Sequence, residues 1–219
     1  MARKDPSPSE DERFQNLKDS ARLLFNTSDS AHDIGHATRV LKLAELIGLS
    51  EGADLTIIRP AAYLHDIGCA PKHLGKECES EERTLMITRA LLAKAHYNKK
   101  ELEEILAIIG VHGFSKGVVP KTLEGKVLQD ADRLDAMGAI GIARTFLVGG
   151  AVNRPMYHLQ DPWAQSRPVD DKSYNLDHFF KKLMKLKAGM HTRTAKKLAE
   201  ERHRFLDHFL RQLREELGP

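Results

Sequence analysis

Cysteine is scarce in this chain. Two residues, Cys69 and Cys78, stand in 219. Two thiols cannot build a disulfide scaffold in a chain of this length, and their spacing does not suit a zinc knuckle. A reducing compartment is the simpler expectation. Long apolar runs are also missing. No stretch approaches the roughly 18 residues that a membrane span requires, and the opening residues MARKDPSPSEDERF lack the apolar centre of a secretory signal. The expectation is a soluble cytoplasmic protein with no membrane partner. Aromatics amount to 6% and are not interleaved with the basic residues, which argues against a base-stacking surface. A net charge of +3 is too weak to imply nucleic acid by itself. There is no alternating strand pattern of useful length, no internal repeat and no low-complexity block.

What is present is a chain with 41% hydrophobic and 30% charged residues, enough to build a core. Helical spacing runs through most of it. Residues 1–8 read as a flexible start. Ser9 followed by Glu10, Asp11 and Glu12 reads as a helix entry, with Phe14, Leu17, Ala21, Leu24 and Phe25 behind it. A second helix is predicted from about Asp33 to Ile47, stopped by Gly48. A third covers about 53–67, with Pro60 marking a kink or a late start. Helices are expected at about 80–96, 99–110, from Pro120 onward, 139–148, 174–188 and 192–216. Residues 149–172 show no periodicity, and such a stretch suggests a lid, a binding loop or disorder. The fold class is all-α, a single domain over 9–219 whose core for the site spans about 30–148.

Three segments put polar residues into apolar settings. They are His32-Asp33-Ile34-Gly35-His36, Tyr63-Leu64-His65-Asp66-Ile67-Gly68 and Gln129-Asp130-Ala131-Asp132-Arg133-Leu134-Asp135. An imidazole beside a carboxylate at the end of an apolar helix is costly to desolvate unless something pairs with it, and a divalent cation does so. Taken singly, each segment has an ordinary explanation: a hydrogen-bonded core histidine, a helix cap, a surface carboxylate. Asp33 reads as a cap first. Asp130, Asp132 and Asp135 compete as the last ligand, and periodicity does not choose among them, because the apolar stripe passes closest to Asp135.

His36-Ala37-Thr38-Arg39-Val40, the His65-Asp66 pair and Ala131-Asp132-Arg133-Leu134 together resemble the motifs of the HD-domain superfamily of metal-dependent phosphohydrolases. The continuation Gly138 to Phe146, with His178-Phe179, resembles small stand-alone bacterial HD hydrolases, among them nucleoside-triphosphate pyrophosphohydrolases. The resemblance implies His36, His65, Asp66 and Asp132 as metal ligands. It also implies one divalent ion rather than two, with Mn favoured over Mg, Co, Ni, Fe or Zn. The expected substrate is a small phosphorylated molecule, a nucleotide in first place, and a homodimer is expected. Asp66 and two carboxylate or imidazole partners, Glu79 and His112, are the candidate catalytic residues. Arg39, Lys72, Lys76, Arg133, Arg144, His178 and Lys182 are candidates for phosphate, because guanidinium and ammonium groups supply the charge that a neutralised metal site does not. A nucleoside-monophosphate phosphatase or a phosphodiesterase would use the same metal site. From another class, a non-catalytic helical module would bind nucleotide or nucleic acid through the basic C-terminal helices.

Overall fold

A computed structural model describes residues 8–25, 33–69, 77–113 and 116–218, with the backbone alone over 77–80. Among these residues there is no β-strand. The elements are α1 (Glu10–Ala21), a 3₁₀ turn (Arg22–Leu24), α2 (Ile34–Glu51), α3 (Leu55–Leu64), α4 (Glu77–Lys94), α5 (Lys99–Gly110), α6 (Leu123–Asp135), α7 (Gly138–Ala151), α8 (Asn175–Lys181), a second 3₁₀ segment (Leu183–Gly189) and α9 (Arg193–Leu217).

The helix starts follow capping chemistry. Ser9 and Glu12 form a reciprocal capping box at α1, and Asn98 with Glu101 does the same at α5. The Asp33 carboxylate accepts from the His36 amide at 2.8 Å, so Asp33 is a cap, as its position suggests. Arg13 of α1 then donates twice to Glu101 of α5, at 3.0 and 3.1 Å, tying the two helices.

Several boundaries differ from the sequence expectation. Gly48 does not stop α2, which runs on to Glu51 and ends at Gly52 in the left-handed region, φ 76°. Gly48 is instead a contact point: a Cβ there would lie 3.0 Å from Leu55 and 3.1 Å from Ile58 of α3. Pro60 sits inside α3 without breaking it. The α6 helix opens at Leu123, capped by the Thr122 hydroxyl, and not at Pro120. The predicted helix over 174–188 divides into a short α8 and a 3₁₀ segment.

Helix α2 packs against both α3 and α6, and α3 packs against α5. Their shared core is Val40, Ala44 and Ile47 of α2, Ile58, Ala61 and Leu64 of α3, and Leu128, Ala131 and Leu134 of α6, all fully buried. These residues recur at intervals of three and four, so each helix presents one apolar stripe. Helix α9 covers the α6–α7 side with Ala195, Ala199 and Leu206. Residues 152–174 have no regular helix but are pinned. Arg167 donates to both oxygens of the fully buried Asp177 at 2.6 and 2.7 Å, and the Arg214 guanidinium lies 4.3 Å above the Trp163 ring. No single helix among the described residues is long and apolar enough to cross a membrane.

Candidate metal centre

Three elements meet at the polar cluster. His36 occupies the first turn of α2, His65 and Asp66 form the turn that ends α3, and Asp132 and Asp135 lie on the last turn of α6. Because α2 packs on both other helices, its inward stripe carries His36 between them.

Each ring nitrogen of the buried pair can be assigned from its partner. His65 Nδ1 lies 2.9 Å from the Ala62 carbonyl, which only accepts, so Nδ1 carries the proton. His36 Nδ1 lies 2.7 Å from the Asp135 carboxylate and donates to it. The two remaining Nε2 atoms therefore turn to one another, 3.1 Å apart. Asp66 Oδ2 stands 3.5 Å from both of them, and Asp132 Oδ1 stands 3.6 Å from His36 and 3.9 Å from His65. His36, His65 and Asp66 offer ligand atoms that all lie within 4.8 Å of one another. With both Nδ1 protons committed elsewhere, the two Nε2 atoms and the facing oxygens of Asp66 and Asp132 bring acceptors together. Such an arrangement needs a proton or a cation at its centre. Ligands of one ion at about 2.1 Å stand roughly 3 Å apart, so this donor set fits a divalent metal with little adjustment.

The protonation preferences of the two rings are opposite. Burial pushes the His65 ring down to about 4, so it is neutral and able to ligate at physiological pH. Burial also disfavours charge on His36, but the bonds to Asp135 and Asp66 outweigh it and raise this ring above its ordinary value. For Asp132, burial favours the neutral acid, yet the neighbouring His65 and His36 hold the carboxyl below its usual range.

His112 belongs to the same cluster. Its Nδ1 donates to the Ile109 carbonyl at 2.6 Å, and its Nε2 lies 3.5 Å from Asp66 Oδ1. Burial lowers its basicity, but the Asp66 carboxylate more than offsets this and lifts the ring to about 9. The Cys69 thiol donates to the same Asp66 oxygen at 3.2 Å, a contact that nothing in the sequence announces.

The competing acids of α6 separate by direction. Asp130 turns away and accepts from the His191 amide and from the Thr192 amide and hydroxyl, holding the start of α9. Asp135, 2% exposed at its side chain, takes Arg39 Nε on Oδ1 at 2.7 Å. Its Oδ2 takes Arg39 Nη2 at 3.0 Å and Arg144 Nη1 at 2.8 Å, along with His36. The apolar stripe did pass closest to Asp135, and a carboxylate there had to find cations, which was the available signal for its role. Arg39 and Arg144 thus stand beside the cluster through Asp135.

Three further candidates sit on α6, on α8 and where α8 ends. Arg133 reaches the Gly189 carbonyl and His191, on the side of α6 that faces the second 3₁₀ segment. His178 pairs with Asp171 at 3.0 Å. Lys182 sits half-buried where α8 passes into that segment. Lys72, His73, Lys76 and the side chains of Cys78 and Glu79 fall outside the described residues.

Comparison with known proteins matches this geometry to a family. The HD-domain family matches residues 32–137, the span that contains every member of the cluster. The YpgQ protein of Bacillus subtilis is 34% identical over 207 residues, 93% of each chain. Its crystal structure in complex with ADP superposes with a TM-score of 0.74 at 33% identity, covering 94% of this chain and 96% of that one. An HD-superfamily hydrolase from Bacillus thuringiensis gives 0.74 at 36% identity, with 95% and 98% covered. Ribonuclease Y of Thermoanaerobacter pseudethanolicus is 32% identical over 120 residues, which is 55% of this chain but 22% of that protein.

Proposed function

This chain belongs to the HD-domain superfamily and is a metal-dependent phosphohydrolase; on that premise we propose that it hydrolyses the phosphoanhydride bond of a nucleoside triphosphate and releases pyrophosphate. His36, His65, Asp66 and Asp132 would hold one divalent cation, manganese in first place. The observation that carries this reading is the acceptor-only cluster, with Nε2 atoms 3.1 Å apart and carboxylate oxygens at 3.5 to 3.9 Å.

A bound divalent cation supplies Lewis acidity toward a phosphoryl oxygen and makes water a stronger acid. The chain's own residues do the rest. Asp66 and Asp132 offset the charge of the ion, so the negative charge of a polyphosphate must be met by other groups. Arg39 and Arg144 are guanidiniums tied to the cluster through Asp135, which also accepts from His36. Arginine suits phosphate because its planar fork can donate two parallel hydrogen bonds. His112 keeps its ring proton at neutral pH and presents Nε2 to the site beside Asp66. It is placed to give a proton to the departing oxygen. A nucleotide as substrate is supported by the ADP held by the Bacillus subtilis relative. A phosphodiesterase is the second reading, favoured by the similarity of 120 residues of this chain to ribonuclease Y.

Purified full chain incubated with Mn, Mg, Co or Ni and a panel of nucleoside triphosphates, monophosphates and a short oligoribonucleotide separates these readings. Pyrophosphate released from a triphosphate is the expected result. Orthophosphate from a monophosphate, or chain cleavage of the oligonucleotide, with triphosphates untouched, contradicts it.

A further inference from the structure

The proposed ligands leave one buried carboxylate without a role in binding the cation. Asp135 contributes no atom to the cluster of ligand atoms, yet it takes His36 Nδ1 at 2.7 Å, the shortest contact His36 makes in that group. It is 2% exposed at its side chain, so water does not compete for its oxygens. Both of its oxygens already accept from guanidiniums, two bonds from Arg39 and one from Arg144, and these groups can only donate. It is therefore an acceptor and cannot donate a proton back to the ring. A neutral imidazole with Nδ1 protonated has its lone pair on Nε2, the atom that faces His65, Asp66 and Asp132. Arg39 holds the carboxylate from one side with two bonds, and Arg144 holds it from the other. The acceptor for His36 is thus fixed by α2 and α7 as well as by its own helix.

We propose that Asp135 is the positioning residue of the metal centre: it fixes the tautomer and ring angle of His36 through Oδ2, and through the same carboxylate it sets Arg39 and Arg144 beside the cation. The proposal rests on the cation site described above. It assigns cation affinity and arginine placement to one side chain that touches neither the cation nor the substrate. Carboxylates that orient ligating histidines contribute in this way in metal sites generally.

The test is Mn binding by isothermal titration calorimetry to the full-length wild type, Asp135→Asn, His36→Ala and the double variant, with the helical fold checked by circular dichroism. Asp135→Asn is expected to weaken Mn binding by about 10- to 100-fold while the helical signal is kept. Added to His36→Ala, the same change is expected to matter by about twofold at most, because its effect runs through the missing ring. Wild-type affinity in Asp135→Asn, or an equal loss in both backgrounds, overturns the proposal. Wild-type affinity in His36→Ala is a different failure, since it removes the cation site itself and the role of Asp135 with it. If Asp135→Asn does not fold, nitrogen-15 histidine spectra of the zinc-loaded wild type decide. A proton on His36 Nδ1 is expected, and a proton-free Nδ1 overturns the proposal.

Discussion

Two imidazoles with their Nε2 atoms 3.1 Å apart are a contact that neutral rings avoid. The partners of the opposite nitrogens, Ala62 O and Asp135, remove the freedom to escape it by changing tautomer. The cost of burying such a group of acceptors is returned when a cation binds, and the cluster is organised for that event. Whereas the His65 ring is pushed down to about 4, His112 is lifted to about 9 beside Asp66. Its replacement separates holding a cation from moving a proton. His112→Asn is expected to lower kcat by about 10²-fold or more, with metal content per chain unchanged. A rate equal to wild type contradicts the proton role, and a loss of metal would make His112 a ligand. At this scale much was legible. His36 and His65 are buried histidines beside apolar stripes, whereas Asp132 was singled out from Asp130 and Asp135 only by resemblance to a known motif. Asp135 was visible as a candidate but its part was not. Its partners come from α2 and α7, and sequence spacing does not reveal which helices will touch.

The turn that carries His65 and Asp66 is held from outside by α4. The Gly68 amide donates to the Thr84 hydroxyl at 3.0 Å, and a Cβ on Gly68 would fall 2.4 Å from the Thr84 backbone nitrogen. Backbone cannot yield as a flexible side chain can, so the glycine is needed for α4 to approach. Gly68→Ala is expected to cost on the order of 2 kcal/mol through overpacking, lowering Tm by roughly 4 to 8 °C for a chain of this size. A thermal melt followed by circular dichroism checks it, and an unchanged Tm would show that α4 shifts freely. Two helix entries were legible, since Ser9 and Asp33 cap as their chemistry demands, but α6 opens behind Thr122 and not at Pro120. The helix ends were less so. Gly48 resembles a stop signal, yet it lies within α2 because Leu55 and Ile58 of α3 press on that point. Close approach and chain termination both favour glycine, and the sequence alone does not distinguish them.

Over the whole molecule, the α2–α3–α6 core serves as the frame of the site. Its fully buried apolar residues bring α2, the end of α3 and the last turn of α6 to one point. The C-terminal elements reinforce that frame. Asp130 anchors α9 through Thr192, and Gln129 donates to the Val111 and Val118 carbonyls on either side of the segment that follows His112. The stretch over 149–172 reads by composition as a lid, a binding loop or disorder, yet its first residues, up to Ala151, belong to α7. It is fastened by the Arg167–Asp177 pair and by Arg214 of α9 on the Trp163 ring, contacts that periodicity does not register. All-helical architecture was readable because apolar residues recur at three and four throughout. The most direct test of the account is anomalous diffraction at the manganese edge from crystals of the full chain grown with Mn. One peak is predicted, about 2.0 to 2.3 Å from Nε2 of His36 and His65 and from carboxylate oxygens of Asp66 and Asp132. A manganese peak elsewhere, with this cluster empty, would contradict it.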